Sequence, residues 1–318
     1  MAAQPISRDA RIYIAGHRGL VGAGLWRYFT EHGFVNLIGR SSEDLDLRDS
    51  GATAAFLDET RPDVVIDAAA RVGGIAANDA RPAHFLSDNL RIQLNLLDSA
   101  VSAGVRRFLF LGSSCIYPKF AEQPIREEAL LGGRLESTNE AYAIAKLAGI
   151  LQVKAIRSQY GLPYISAMPS NVYGPGDNFT AGDSHVLPAM IRRFHDAVRA
   201  GVSEVTCWGT GEPRREFLHV DDLAAACHVL LDRYDDALPI NVGTGVDVTI
   251  ADLARLVADV VGFDGEVRWD ATKPDGTPRK LLDVQRLTAL GWQAAIPLSA
   301  GVKSMYEWFL DHQHDYRR

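Results

Sequence analysis

The stretch RIYIAGHRGLVGAGLWRYFTEHG, residues 11–33, decides the fold. Ile12 to Ala15 are apolar or aromatic and read as a short buried strand, while from Leu20 onward the apolar residues are spaced for one face of a helix. Between the two, Gly16, Gly19 and Gly22 stand in the pattern GxxGxxG. Glycines in a strand-to-helix turn keep it tight, bring backbone N–H groups close to a pyrophosphate at the helix N-terminus, and let the helix pack on the sheet. The run Gly16, Arg18, Gly19, Leu20, Val21 and Gly22 is therefore the expected cofactor-binding turn.

Outward from this turn the chain alternates short apolar runs with longer amphipathic ones. VNLIG (35–39), VVIDAAA (64–70), RRFLFLGSS (106–114) and PYISAMPSNVYG (163–174) read as strands. DSGATAAFLDET (49–60), DNLRIQLNLLDSAVSAG (88–104) and TNEAYAIAKLAGILQVKAIRSQYG (138–161) read as helices. This repetition predicts an α/β protein built on a Rossmann-like, doubly wound parallel sheet covered on both faces. After Gly174 the texture changes: PGDNFTAGDSH (175–185) is rich in turn formers, and HVLPAMIRRFHDAVRAG (185–201) reads as a helix. A smaller α/β substrate-binding lobe is expected to begin here. The segment 215–236 reads as a helix and PINVGTG (239–245) as a strand returning to the first sheet. The expected division is residues 1–174 plus about 216–246 for the nucleotide-binding domain, and about 175–215 plus 247–318 for the second lobe.

A net charge of -7 with scattered basic residues provides no footprint for nucleic acid or an anionic membrane surface. No apolar run approaches the ~20 residues needed to cross a bilayer. Cys115, Cys207 and Cys227 are odd in number and widely spaced, which suits a reducing cytoplasm better than a disulfide framework or a metal site. The lead MAAQPISRDAR is expected to be disordered.

The second strand ends at NLIGRSS, with Arg40 where an acidic residue would bond the ribose hydroxyls of NAD. An arginine there complements a 2′-phosphate, and Arg18 supplies a second cation, so NADP(H) is the expected cofactor. In TNEAYAIAKLAG, Tyr142 and Lys146 stand four apart, on one helix face. An ammonium beside a phenol favours the phenolate and is expected to lower the tyrosine pKa from ~10, making it a usable proton donor to a carbonyl under reduction.

The order of glycine turn, serine-ended strand and YxxxK resembles the extended short-chain dehydrogenase/reductase family. That resemblance makes Ser113, four residues before Tyr117, the catalytic serine beside Tyr142 and Lys146. GSSCIYPK, AAARVGGI, NVYGPGDNF, SHVLPAMIRRFH, WGTGEPRREFLHVDDLA and KPDGTPRKLLDV are similar to a branch that epimerises and then reduces GDP-linked 4-keto-6-deoxy sugars. The resemblance covers nearly the whole chain. It implies a GDP-sugar substrate and cofactor contacts at Leu111, Gly112, Ser113, Ser114, Tyr142, Lys146, Pro169, Ser170, Asn171, Val172 and His185. It also implies substrate contacts at Arg193, Trp208 and Arg215, with Lys280 or Arg279 suited to the diphosphate, and a homodimer paired through the helices at 88–101 and 141–156.

In such chemistry one group removes a proton beside the ketone and another returns one to the opposite face. Cys115 and His185, with ordinary pKa values of ~8.5 and ~6.5, suit that exchange, while Ser113 and Tyr142 serve the developing oxyanion. A 4,6-dehydratase would need an acid beside the strand-end serine, and GSSCIYP has none. An epimerase that retains NAD would prefer an acid near position 40. A non-catalytic NADP-binding regulator would be expected to have lost Tyr142 or Lys146.

Overall fold

A computed structural model describes residues 5–313 apart from Asp183 and Pro274. The first four residues of the lead lie outside the described residues. From Ile6 onward it is held: the Ile6 N–H donates to Asp232 at 2.9 Å, and Arg8 lies over the Phe34 ring. The expected disorder therefore does not extend to these residues.

The chain begins β1 (Ile12–Ala15), α1 (Leu20–Glu31), β2 (Leu37–Ile38), α2 (Ser50–Thr60) and β3 (Val64–Asp67). Asp49 caps α2 by accepting from the Ala52 N–H. A short α3 (Ile75–Ala80) precedes α4 (Pro82–Ser102), which starts earlier than its apolar pattern suggested because Pro82 occupies the first turn, where no N–H is needed. Then come β4 (Arg107–Leu111), α5 (Glu140–Tyr160), closed by Gly161 at φ 68°, and β5 (Tyr164–Pro169).

The expected single strand over 163–174 is divided at Ser170, and its second half is β6 (Asn171–Tyr173) in a different sheet. The chain continues α6 (Val186–Ala200), β7 (Glu204–Trp208), β8 (Arg214–His219), α7 (Val220–Arg233) and β9 (Ile240–Val242). The segment at 215–236 is thus a strand before it is a helix. The remainder is β10 (Asp247–Thr249), α8 (Ile250–Val261), β11 (Glu266–Asp270), β12 (Arg279–Lys280), α9 (Gln285–Ala289) and α10 (Leu298–Asp311).

The main sheet is parallel throughout, in the order β2-β1-β3-β4-β5-β9. The chain reverses direction across the sheet between β1 and β3, and the crevice beyond such a reversal is where ligands sit in open α/β sheets. Val64 and Ile66 face one apolar layer with α1 and α7, while Val65 and Phe108 face the layer under α4 and α5. β8 pairs with β6, β10 and β12 in a smaller sheet, and β7 pairs with β11. A third core, built on α6, α8 and α10, supports these smaller sheets. Buried Glu216 of β8 accepts from the Gly245 and Leu282 N–H groups at 2.8 and 2.9 Å, joining the β9–β10 turn to the chain after β12.

Gly22 is where α1 crosses closest to the first turn: a Cβ there would lie 2.1 Å from the Gly16 carbonyl oxygen. Gly22→Ala is expected to destabilise the chain by about 1–3 kcal/mol, the range for overpacking a tight contact. Thermal unfolding checks this, and a midpoint equal to wild type would show that the turn relaxes freely.

Candidate active site

The glycine turn fits a dinucleotide. Helix α1 starts at Gly19 with no side-chain cap and no acid in its first turn, so its leading N–H groups remain available to a diphosphate. A Cβ on Gly16, at φ 75°, would lie 2.9 Å from the Ala68 carbonyl oxygen, so only glycine keeps the turn against the end of β3. Arg18 and Arg40 are exposed on this rim. Arg40 donates to the Gly39 carbonyl and lies 5.4 Å from the centroid of the Phe56 ring, which leaves its remaining donors for an anion. Leu20, Val21, Leu111, Gly112, Pro169, Ser170, Asn171 and Val172 line the strand ends and helix start beside this crevice. The Ser170 hydroxyl is buried without a hydrogen-bond partner among the described residues, whereas Asn171 is engaged with the Glu216 carbonyl at 2.7 Å.

At the end of β4 the chain turns through a single helical turn at 114–116. Ser113 caps it, its hydroxyl accepting from the Cys115 N–H at 3.4 Å, and this places both beyond the sheet edge. Ser114 and Cys115 are buried. On α5, Lys146 is buried and donates to the Leu111 carbonyl at 2.8 Å, so the helix is pinned to the strand that carries the serine. Tyr142 is half-buried one turn earlier, within electrostatic reach of Cys115 and Asp67.

The electrostatics differ from the sequence expectation. Burial raises the Tyr142 phenol well above its ordinary value, and Cys115 and Asp67 add to the rise when they are ionised. Lys146 donates to the Leu111 carbonyl, and burial pulls its own pKa down. Burial likewise pushes the Cys115 thiol up, opposed first by Lys280, then by Ser113 and Lys146. At rest the phenol and thiol are both protonated.

His185 stands immediately before α6. Its turn packs on the glycine pair after β3, since a Cβ on Gly74 would lie 2.8 Å from the Ser184 carbonyl oxygen. His185 is exposed, its side chain making no hydrogen bond among the described residues, and the surrounding protein lowers its pKa through desolvation. Thiol and neutral imidazole thus present one proton to give and one site to receive. No described contact joins Cys115 to His185.

The cations read as substrate contacts divide. Lys280 of β12 is in register with Arg215 of β8, and both are half-buried within electrostatic reach of Glu136. Lys280 is also within electrostatic reach of Cys115. Arg279 points the other way and is paired with Asp247 at 2.5 Å, which Arg214 also binds. Arg193 is exposed on α6 and donates to the Thr206 carbonyl at 2.7 Å. Trp208 is 60% exposed with the Lys273 ammonium 5.7 Å from its ring, leaving an open aromatic face for stacking.

Three acids escaped the sequence reading. Glu136 binds Lys119 at 2.8 Å and faces Lys280 and Arg215. Asp275 accepts from Thr210 and faces Arg215. Asp67 lies buried at the end of β3, and an acid closing the otherwise apolar VVID was its available signal. His195 of α6 is buried against Phe309 and hydrogen-bonded to Tyr306 at 3.0 Å.

The fold and this cluster define a nucleotide-dependent α/β enzyme, and the chain belongs to the NAD dependent epimerase/dehydratase family, whose model matches residues 12–243. It is 54% identical to GDP-L-fucose synthase 1 of Arabidopsis thaliana over 95% of this chain and 94% of that protein. It is 52% identical to GDP-L-fucose synthase of Escherichia coli, covering 96% of this chain and 98% of that one. A solved GDP-L-fucose synthetase from Naegleria fowleri, bound to NADP, superposes with a TM-score of 0.91 at 27% identity, covering 100% of this chain and 99% of that one.

Proposed function

We propose that the protein converts GDP-4-keto-6-deoxy-D-mannose to GDP-L-fucose, inverting C3 and C5 and then reducing C4 with NADPH. The carrying observation is the meeting of Ser113 and Cys115, at the end of β4, with Tyr142 and Lys146 on α5, in a chain similar to GDP-L-fucose synthases over nearly its full length.

NADP(H) is the cofactor, and the reduced form supplies the hydride that reaches C4. The chain's own groups handle protons and charge. Cys115 and His185 exchange protons at C3 and C5, one removing and the other returning from the opposite face. The Ser113 hydroxyl and Tyr142 phenol hydrogen-bond the C4 oxygen while it carries enolate charge, and later while it becomes an alkoxide. In that last step the phenol gives its proton to the alkoxide, and Lys146 stabilises the phenolate left behind. Arg215 and Lys280 offer charge to the diphosphate, and Trp208 offers a stacking face to the base.

Arg40 is proposed to hold the 2′-phosphate. Arg40→Ala is expected to raise the NADPH dissociation constant on the order of 10-fold, the size of one charge-assisted hydrogen bond, while leaving NADH binding unchanged. Equal losses for both coenzymes would remove that role from Arg40.

A homodimer accords with Leu94 on α4 and Ile144 and Leu151 on α5, exposed on adjacent packed helices. A cytoplasmic location accords with Cys115, Cys207 and Cys227, which are buried and unpaired. Among the described residues no helix is long and apolar enough to cross a membrane.

The test is to supply purified protein with GDP-4-keto-6-deoxy-D-mannose and NADPH, following nicotinamide absorbance and the product by NMR. A GDP-L-fucose product supports the reading. A D-configured or singly inverted product would retain the reductase group and remove the roles given to Cys115 and His185.

A further inference from the structure

Asp67 ends β3 and is fully buried. Strand alternation sends it, with Val65, toward the layer under α4 and α5, because Val64 and Ile66 belong to the opposite layer. In the sheet register Asp67 lies beside Phe110 of β4. The Lys146 ammonium sits 4.8 Å from the centroid of that Phe110 ring and bonds the next carbonyl along, that of Leu111. Carboxylate and ammonium therefore occupy one buried layer above neighbouring strands. Oδ1 of Asp67 accepts from the Ala69 N–H at 3.1 Å, while Oδ2 is buried with no hydrogen-bond partner among the described residues. An acid so placed is costly to the fold unless a charge answers it, and its retention at this point requires a reason.

We propose that Asp67 is a positioning residue for the reductase step, the buried counter-ion that keeps the Lys146 ammonium charged behind the Tyr142 phenol. This rests on the reductase reading above and concerns how its lysine stays protonated. Lys146 is 3% exposed, and a lysine removed from water tends to become neutral. Desolvation does pull its pKa down, and Asp67 is the foremost charge opposing that fall, followed by Cys115.

The groups facing Asp67 are Tyr13 on β1 and Lys146 and Tyr142 on α5, with Arg40 acting on Tyr13 from the end of β2. From α4, neutral Gln93 bonds the Ala145 carbonyl, and Asp88 is turned to Arg71 and Arg48. Lys146 is thus the cation that answers Asp67. Burial holds the Asp67 carboxyl up at about 6, with Lys146 and the Ala69 N–H restraining the rise. Above that pH the carboxylate is ionised and supports the ammonium; below it the support fades, but the lysine is then protonated without help.

Asp67→Asn keeps shape and removes charge. Lys146 should then lose its proton at lower pH, moving the alkaline limb of NADPH oxidation downward by about one pH unit. Asp67→Glu should restore the limb. The chain has six lysines, so ε-carbon-labelled lysine NMR, with Lys146→Arg assigning the signal, reads the same titration without turnover. A lower Lys146 midpoint in Asp67→Asn supports the proposal. An unchanged midpoint, even with a uniform loss of rate, would mean that Asp67 only packs and would overturn it. Should Asp67→Asn fail to fold, Asp67→Ser carries the same two readings. If wild type does not oxidise NADPH with the keto-sugar, the reductase reading fails by itself, and the lysine titration still decides whether Asp67 sets the charge of Lys146.

Discussion

Tyr142→Phe is expected to lower NADPH-dependent reduction by on the order of 10²-fold or more, the usual worth of a positioned general acid. The phenolic hydroxyl is the only group removed. The ring keeps its place on the first turn of α5 against the layer shared with Leu147 and Phe110, so stability should change little. Hydride arrival at C4 creates an alkoxide that needs a proton at once, and the Ser113 hydroxyl can bond that oxygen without being as acidic a donor as a phenol. Burial holds the phenol protonated at rest, so the wild-type donor is loaded before the cycle begins. Single-turnover absorbance of the nicotinamide checks this. A loss smaller than about 10-fold would show that another group or water protonates the alkoxide.

Cys115→Ser is expected to slow proton exchange at C3 and C5 by roughly 10²- to 10⁴-fold while leaving hydride transfer possible. The substitution replaces a sulfur by an oxygen in a buried turn whose backbone is held by Ser113. A hydroxyl gives up its proton far less readily than a thiol, so the exchange group is lost without moving Tyr142 or Lys146. In deuterium oxide, wild type should place label at both carbons. Label entering Cys115→Ser at the wild-type rate would refute the role of the thiol. Lys280 bears on the same step: its charge opposes the rise that burial causes, so the cation suited to the diphosphate also favours the thiolate.

Much of the fold was legible. A glycine turn between strand and helix, β-branched runs and a YxxxK helix are local patterns, and the parallel sheet follows from their alternation. Less legible were elements whose partners lie far away in sequence. β8 reads as the start of a helix because FLH runs into VDDLAAACHVLL, and only pairing with β6, β10 and β12 makes it a strand. His195 shares α6 with the charged Arg192, Arg193 and Asp196, and only α10, through Tyr306 and Phe309, buries it.

By itself the sequence determined the class of fold, the place of the dinucleotide turn and the residue types at the end of β4 and the start of α5. Those depend on neighbours within a few residues. Tertiary structure alone decided their charge states and the company they keep: Lys280 within electrostatic reach of Cys115, Arg279 committed to Asp247, and Asp67 in the buried layer that holds Lys146. The physical reason is that desolvation and Coulomb interaction depend on distance through the folded molecule, and these partners are joined by strand pairing and helix packing between segments far apart in the chain.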